Sequence, residues 1–244
     1  MSDVVRLAMW SGPRNISTAM MRSWENRPDA IVVDEPLYAY YLAATGADHP
    51  AREEVIATGE TDWRAVVATL LGPVPDGIRV FYQKHMSHHL LPDTGRDWIA
   101  QLTNILLIRD PREVVASYGR IRDTVTPHDI GLPQQVELYD RLAADGSPPA
   151  VLDAADFLRD PEGYLRALCD MTGLEFTGRM LSWPAGPRDS DGVWAPHWYD
   201  AVWKSTGFAP YQERRPALSG SAAEAAEAAW PMYEYLHARR DVLA

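Results

Sequence analysis

Short apolar runs alternate along the chain with segments in which apolar residues recur at helical spacing. The runs predict five β-strands, at residues 4–10, 31–33, 78–82, 104–108 and 150–152. The helical spacing predicts helices from Ser17 to about Asn26 and from Trp63 to Leu71. Short buried strands that alternate with helices are typical of a parallel sheet covered on both faces. We therefore predict an α/β fold with three layers, α/β/α, around a central parallel sheet.

Helix boundaries are marked by local signals. Asp110, Pro111 and Glu113 form an N-cap, a first helical residue and an acidic third residue, so a helix is expected there. Ser221 and Glu224 have capping-box spacing at the start of a C-terminal helix over about 222–240, which Pro231 is expected to kink or restart. Residues 183–216 lack periodicity and are predicted to form a long, lid-like loop. We expect residues 1–244 to form a single domain.

Polar residues follow four of the predicted strands where each strand ends. Arg14 follows the first strand, Glu35 the second, Lys84 and His85 the third, and Arg109 the fourth. Ligands of parallel α/β sheets bind beyond the carboxyl ends of the strands. Four independent segments therefore predict one binding site at this edge of the sheet.

The composition narrows the function classes. A formal net charge of −11 over 244 residues makes general binding of nucleic acid or anionic membranes unexpected, so an anionic ligand must be held by a few placed cations and N–H groups. Cys169 is the single cysteine, which rules out an internal disulfide and suits a cytoplasmic protein. No apolar run is long enough for a membrane span, and because the first strand begins near residue 4, no signal peptide is expected before it.

The segment from Ser11 to Thr18 has the order strand, tight loop, helix that binds phosphate through free N–H groups. Gly12 allows close backbone approach, Arg14 supplies a forked cation, and Ser17 and Thr18 supply caps and hydroxyls. Aligned on Thr18, Ile16 and Ser17 stand where the P-loop of nucleotide hydrolases needs its second Gly and its Lys, which disfavours an ATPase or GTPase. An ordinary strand-to-helix turn is the alternative.

The pattern Pro13-Arg14-x-x-Ser17-Thr18 resembles the 5′-phosphosulfate loop of sulfotransferases, in the Pro-Arg branch of the bacterial and tyrosylprotein enzymes. Asn15 and Ile16 replace the Ser-Gly of that pattern. The resemblance implies that the donor is 3′-phosphoadenosine 5′-phosphosulfate (PAPS) and that the fold is P-loop-like. It also implies that the loop binds the donor's phosphosulfate, through residues Gly12, Pro13, Arg14, Asn15, Ile16, Ser17 and Thr18.

A second motif lies at residues 108–118, where Arg109 ends a strand and Ser117 lies about two turns into the next helix. Together a cation and a hydroxyl at these places can hold one phosphate. The segment is similar to the sulfotransferase 3′-phosphate motif, Arg-[Asn/Asp]-Pro-x-[Asp/Glu]-x-x-x-Ser, including the spacing from Arg to Ser. The alternative is a salt-bridged strand end with a small packing serine.

Sulfuryl transfer needs a base for the acceptor proton and cations for the developing charge. Glu35 is the first candidate, because its separation from Arg14 along the sequence resembles that between the catalytic glutamate and the loop arginine of tyrosylprotein sulfotransferases. The alternative is that Asp34 and Glu35 pair with a nearby arginine and have a structural role only. His85 is the second candidate, because Lys84-His85 resembles the Lys-x-His segment of cytosolic sulfotransferases. Adjacent strand residues face opposite sides, so only one of the two is expected to reach the site. Lys84 is then expected to stabilise the leaving oxygen.

Two further features are weaker. His85, His88 and His89 suggest a metal, but no carboxylate cluster or cysteine stands beside them, so no metal is predicted. The segment 203–208 resembles the late Ser-Thr-Gly segment of several bacterial sulfotransferases, which places Lys204 and Ser205 near the donor; a surface loop is the alternative. Nearby tryptophans are expected to wall an acceptor pocket or to belong to the core, namely Trp183, Trp194, Trp198 and Trp203.

The sequence therefore predicts a PAPS-dependent sulfotransferase that acts by in-line transfer on a hydroxyl or amine of a small-molecule acceptor, whose identity the sequence leaves open. A small-molecule kinase on the same fold is one alternative, with Mg²⁺ held by Ser17 or Thr18 and Asp34. A catalytically inactive nucleotide-binding protein is another.

Overall fold

The computed structural model describes residues 4–119 and 125–243. Its sheet has five strands in the order β2-β3-β1-β4-β5, and every pairing is parallel. The strands are β1 (Val5–Ser11), β2 (Ala30–Asp34), β3 (Val80–Met86), β4 (Thr103–Ile108) and β5 (Ala150–Asp153). The predicted strands and the parallel sheet are thus confirmed. The third strand extends further than predicted, so that Lys84 and His85 lie within it.

The alternation of side chains along each strand builds two separate cores. In β1, Leu7 and Met9 pack with α1, α7 and α8, whereas Ala8 and Trp10 pack with α4, α5, α6 and α11 on the other face. Within the described residues the α-helices are α1 (Ser17–Glu25), α2 (Tyr38–Thr45), α3 (Arg52–Thr58), α4 (Trp63–Leu71), α5 (Pro111–Tyr118), α6 (Leu132–Ala144), α7 (Ala154–Arg159), α8 (Pro161–Met171), α9 (Ala195–Trp198), α10 (Asp200–Trp203) and α11 (Gly220–His237). This arrangement confirms the three-layer prediction.

Two boundaries in the C-terminal part differ from the sequence prediction. α11 begins at Gly220 with Ser219 at the N-cap position, so Ser221 lies inside the helix and the predicted capping box is wrong. Pro231 also lies inside α11, which continues past it to His237, so the helix is not restarted there. Packing of α11 on α5 and α6 supplies stability that the helix sequence by itself does not.

The irregular segment over residues 183–216 contains two single-turn helices, α9 and α10. Trp194 and Tyr199 from this segment pack with Tyr38 of α2 and Val55 of α3 in a third hydrophobic cluster. The segment is therefore held over the ends of β2 and β3. In the described residues no helix is long and apolar enough to cross a membrane.

Candidate functional site

A cleft of about 500 Å³ opens at the carboxyl edge of the sheet. Its walls come from the segment after β1, the ends of β2 and β3, helices α2 and α5, and the segment over residues 198–216. The predicted site residues on these walls are Pro13, Arg14, Asn15, Ile16, Ser17, Thr18, Glu35, Lys84, Arg109, Ser117 and Ser205. The convergence of four strand ends predicted from the sequence is thus present in the structure.

The loop after β1 presents a helix N-terminus to the cleft. The first i→i−4 hydrogen bond of α1 runs from Met20 N to Ile16 O at 2.9 Å, so the N–H groups of Ser17, Thr18 and Ala19 precede the helical ladder. All three residues line the cleft. These N–H groups and the positive end of the helix dipole make this wall suited to an anion.

Asn15 fixes the loop on the sheet. Its side-chain Nδ2 donates to Leu107 O of β4 at 3.0 Å, and its Oδ1 accepts from Ile16 N at 2.8 Å. Ile16 packs against the core on the α1 side of the sheet. The pair that departs from the sulfotransferase loop pattern therefore braces the loop by a side-chain amide and an apolar contact.

Replacing Asn15 with alanine removes both of these hydrogen bonds. We expect a loss of about 1–3 kcal/mol in the free energy of unfolding, measured by urea denaturation, because Ile16 N loses its side-chain acceptor and Leu107 O loses one of its side-chain donors. Asn26→Ala is the matched control, since Asn26 also donates to two carbonyls, those of Arg179 and Ser182, but at an exposed position outside the cleft. Weaker nucleotide binding in N15A but not in N26A is expected; equal effects of the two changes would contradict this role.

Gly12 was predicted to approach the phosphate, but in the structure it lies against another segment of backbone. A Cβ at Gly12 would lie 2.1 Å from the carbonyl oxygen of Ile130, so this position needs glycine for the close approach of two backbone segments. The cleft wall begins at the next residue, Pro13. Gly12 thus fixes the path of the loop without lining the cleft.

The two predicted phosphate-binding motifs are joined in one network. Arg14 Nε donates to Ser117 Oγ at 3.0 Å, and Arg109 Nη1 donates to the carbonyl oxygen of Arg14 at 3.0 Å. Arg109 also pairs with Glu113, one turn into α5, at 2.6 Å. Arg14 has a left-handed φ of 56°, a conformation rare for residues other than glycine. The network therefore holds two guanidinium groups and a hydroxyl on one wall, next to the N-terminus of α1.

Lys84 lies at the centre of a buried group of polar side chains. Its Nζ contacts Asp34 Oδ1 at 2.7 Å, Glu35 Oε1 at 2.6 Å and Tyr199 Oη at 2.8 Å, so its three N–H bonds all have partners. Asp34 lies opposite Lys84 in the β2–β3 register, and Glu35 N continues that ladder by donating to Lys84 O at 2.9 Å. The parallel pairing of two strands thus places both carboxylates on one ammonium.

Tyr199 connects the irregular segment to this group. Its hydroxyl donates to Asp34 Oδ2 at 2.6 Å and accepts from Trp194 Nε1 at 3.2 Å. No motif in the sequence points to Tyr199, and Asp34 was expected either to pair with an arginine or, in the kinase alternative, to bind Mg²⁺. The density of aromatic residues around Tyr199 was the one available signal. In the structure Asp34 forms an ion pair with Lys84 instead.

The electrostatics of the group single out Glu35. Burial raises the pKa of Glu35, and Lys84 opposes that rise only in part, while the charge of Asp34 adds to it. Burial would lower the pKa of Lys84, but the charges of Asp34 and Glu35 outweigh it and the pKa lies well above its usual value. Glu35 also has a left-handed φ of 44°. A carboxyl with a raised pKa and a strained backbone is typical of a residue that handles protons.

His85 lies on the opposite face of β3 from Lys84, as the alternation of strand residues predicts. Its ring stacks on Trp10 at 4.1 Å, its Nε2 lies 3.2 Å from Gln83 Oε1, and burial followed by the charge of Lys84 lowers its pKa to about 3. His88 and His89 line the cleft, which His85 does not reach. Among residues 4–119 and 125–243, no three His, Cys, Asp or Glu side chains are grouped so that they would hold a metal ion.

The late segment contributes differently at its two predicted residues. Lys204 pairs with Asp200 at 2.7 Å and its side chain is 74% exposed, which places it outside the cleft. Ser205 lines the cleft, accepts from Trp183 Nε1 at 3.1 Å and donates to Val202 O at 2.7 Å. Arg214 is an additional cation on the wall, and it lies outside every motif recognised in the sequence.

Comparison with known proteins decides the family. The family model described as Sulfotransferase domain matches residues 5–240. The chain belongs to the sulfotransferase domain family. The resemblance seen in the two phosphate motifs is therefore confirmed at the level of the family.

Solved structures confirm the P-loop-like sulfotransferase fold. The sulfotransferase domain of the Synechococcus PCC 7002 olefin synthase superimposes with a TM-score of 0.56 at 17% identity, over 93% of this chain and 95% of that domain. The sulfotransferase from Alicyclobacillus acidocaldarius superimposes with a TM-score of 0.55 at 16% identity, over 96% of each chain. At these identities the similarity extends to the fold alone.

Two curated relatives are longer proteins from Arabidopsis thaliana. Branched-chain-amino-acid aminotransferase-like protein 2 is 37% identical over 228 residues, and protein 1 of the same name is 38% identical over 228 residues. The alignments cover 93% of this chain but 40% of each relative. The chain thus spans less than half the length of the proteins to which those names apply.

Proposed function

We propose that this sulfotransferase domain transfers a sulfuryl group from PAPS to a hydroxyl group of a small-molecule acceptor. The observation that carries the proposal is the cleft itself. One wall presents a helix N-terminus, Arg14, Arg109 and Ser117, and the adjoining wall presents the carboxylate of Glu35 on the ammonium of Lys84. The first wall suits a donor that carries two phosphate groups, and the second wall supplies a proton acceptor.

The donor is held by the wall formed after β1 and β4. The N–H groups at the start of α1, the hydroxyls of Ser17 and Thr18, and Arg14 bind the 5′-phosphosulfate. Arg109 and Ser117 bind the 3′-phosphate. Because Arg109 also donates to the backbone of Arg14, the position of one phosphate site depends on the other.

The reaction is an in-line displacement at sulfur. The acceptor oxygen attacks the sulfur atom with a lone pair while its proton passes to Glu35. The bond from sulfur to the bridging phosphate oxygen breaks, and its electron pair stays on that oxygen. Lys84 stabilises the charge that develops there, so that adenosine 3′,5′-bisphosphate and the sulfated acceptor are the products.

Lys84 must exchange one of its three partners to reach the donor. Asp34 is buried at 1% side-chain exposure and does not line the cleft. Glu35 and Tyr199 both line it, but the Tyr199 hydroxyl is also held by Asp34 and Trp194. We therefore assign the exchange to the Lys84–Glu35 bond. Donor binding then frees the carboxylate of Glu35 for the acceptor proton, while Asp34 and Tyr199 keep Lys84 charged and in place.

The contacts of Asp34 disfavour the kinase alternative. That alternative uses Asp34 as a ligand of Mg²⁺, but both carboxylate oxygens are engaged, one with Lys84 and the other with Tyr199. In a P-loop enzyme the lysine belongs to the phosphate-binding loop. Here the lysine, Lys84, belongs to β3 and lies beside Glu35, the proposed proton acceptor. This position of Lys84 supports its proposed role in sulfuryl transfer.

The proposal is tested by transfer of radiolabelled sulfate from PAPS to a panel of hydroxyl compounds, without added metal. We expect labelled product with at least one member of the panel. Lys204→Ala is a suitable control, because Lys204 lies outside the cleft, and it is expected to behave as the unmodified protein. Labelled product from the unmodified protein and equally from Lys84→Met would contradict the proposal.

Replacing Arg109 with alanine is expected to weaken the binding of adenosine 3′,5′-bisphosphate about ten- to hundredfold, because a charge-assisted contact to phosphate is lost. Isothermal titration calorimetry measures this change. Arg112→Ala is the matched control, since Arg112 lies three residues further along, in the first turn of α5, and pairs with Asp110 at the exposed surface. Unchanged affinity in R109A would remove Arg109 from the donor site.

A further inference from the structure

The cleft continues beyond Glu35 and Lys84, on the side away from β4. Because the sheet order is β2-β3-β1-β4-β5, the donor wall lies over β1 and β4, and the segments that follow β2 and β3 wall the other part of the cleft. This part, the far pocket, is lined by Tyr38, His49, Met86, His88, His89 and Trp198. Tyr38 N donates to Glu35 O at 2.9 Å, which ties the far pocket directly to the proposed base.

His89 is held rigidly in the wall of the far pocket. Its ring stacks on Tyr38 at 4.7 Å with an interplanar angle of 6°, and on Tyr41 at 4.8 Å with an angle of 26°. The side chain is 1% exposed. Within the part of the chain that the structure describes, neither Nδ1 nor Nε2 of His89 has a hydrogen-bond partner. A buried imidazole with two unpaired nitrogens is costly, and a ligand that pairs with them removes that cost.

The surroundings of His89 favour the neutral form of its imidazole. Burial lowers its pKa well below the usual value, and the neighbouring His88, His49 and Lys84 add to that effect. A neutral imidazole offers one N–H donor and one acceptor nitrogen, which complements a hydroxyl group. The six residues of the far pocket include no Asp, Glu, Lys or Arg. The charge of Lys84 acts on His89, but its ammonium is already paired with Asp34 and Glu35. A charged substituent would therefore be buried there without a free counter-ion, at high cost.

We infer that the far pocket is the acceptor subsite and that it takes an uncharged compound with an aromatic or apolar body and two hydroxyl groups, one for Glu35 and one for His89. This inference rests on the proposed function, since it uses Glu35 as the base. The tyrosine, tryptophan and methionine side chains of the pocket contact the body of the acceptor. His89 selects the uncharged polar group at the far end.

The test uses three compounds that differ in one substituent: para-hydroxybenzyl alcohol, para-hydroxybenzylamine and para-hydroxybenzoate. Each is titrated calorimetrically into protein saturated with adenosine 3′,5′-bisphosphate. We expect the alcohol to bind at least about tenfold more tightly than the cation or the anion. Equal or tighter binding of a charged compound, or no binding of the alcohol, would overturn the inference. Failure of the bisphosphate itself to bind would contradict the proposed function. Binding of the bisphosphate without the expected preference for the alcohol would contradict only this inference, so the two failures are distinguishable.

His89→Phe separates a ligand-binding role from a structural one, because it keeps the ring between the two tyrosines and removes both nitrogens. We expect the variant to melt about 2–4 °C higher in the absence of ligand and to lose the preference for para-hydroxybenzyl alcohol over para-cresol. His85→Phe is the control, because His85 is also buried but is paired with Gln83 outside the cleft; it is expected to keep that preference. If H89F retains the preference, His89 does not bind the acceptor. His89→Asn, which keeps a donor and an acceptor, is expected to retain part of it and serves if H89F does not fold.

Discussion

Replacing Lys84 with methionine is expected to lower the free energy of unfolding by about 3–5 kcal/mol and to abolish sulfuryl transfer. The loss of stability follows from Asp34, whose side chain is 1% exposed and lies 2.7 Å from the ammonium of Lys84. Without the ammonium, that carboxylate is buried with the Tyr199 hydroxyl as its remaining donor. The loss of activity follows from the missing cation at the bridging oxygen. Urea denaturation and the labelled-sulfate assay measure the two effects.

The double variant Lys84→Met with Asp34→Asn distinguishes the two roles of the lysine. Removing both charges is expected to recover most of the lost stability, because the uncompensated carboxylate is gone. Transfer is expected to stay abolished. A double variant that regains activity with its stability would show that Lys84 contributes only to folding and takes no part in the reaction.

Replacing Glu35 with glutamine is expected to lower the single-turnover rate by about 10²–10⁴-fold, the usual contribution of a positioned general base. The affinity for adenosine 3′,5′-bisphosphate is expected to stay within about threefold, because the amide keeps the shape of the side chain and lies outside the donor wall. The measurement uses the best acceptor from the panel of hydroxyl compounds. Near-normal chemistry in E35Q would exclude Glu35 as the base.

The pH profile gives the same prediction a second readout. A base acts only when it is unprotonated, so the rate falls as the pH drops through the pKa of Glu35. Burial raises that pKa, so the fall is expected above the usual range of a glutamate and is expected to be absent from E35Q. His85→Phe serves as the control. Because the pKa of His85 is lowered to about 3, this change is expected to leave the pH profile unchanged. A profile that changes in H85F would restore histidine as a candidate base.

The fold was predictable because its signals are local. Apolar runs fix the strands, and alternation of side chains predicts that only one of Lys84 and His85 faces the cleft. Which of the two does so needs the structure. The strand ends converge because parallel strands finish at the same edge. Helix α2 was missed, since Tyr38–Thr45 is apolar on most of its faces and shows no helical period. The start of α11 was misplaced because packing, which the sequence does not display, decides where a helix begins.

The site was predictable only where a motif lies within one segment. The arginines and hydroxyls of the donor wall belong to two such motifs. Tyr199 was not predictable, because its partner Asp34 lies 165 residues away and the segment between them carries no pattern that joins the two. The role of Gly12 was also hidden, since the carbonyl of Ile130 that requires a glycine comes from a distant loop. Contacts between distant segments arise from packing and need the structure.

The central claim is that the cleft binds a donor with phosphates at both its 3′ and 5′ positions. Titration with adenosine 3′,5′-bisphosphate, and separately with ATP and Mg²⁺, tests it most directly. The account predicts tight binding of the bisphosphate in the presence of a metal chelator, weakened about ten- to hundredfold by Arg109→Ala. Binding of ATP that depends on Mg²⁺ and exceeds that of the bisphosphate would contradict it.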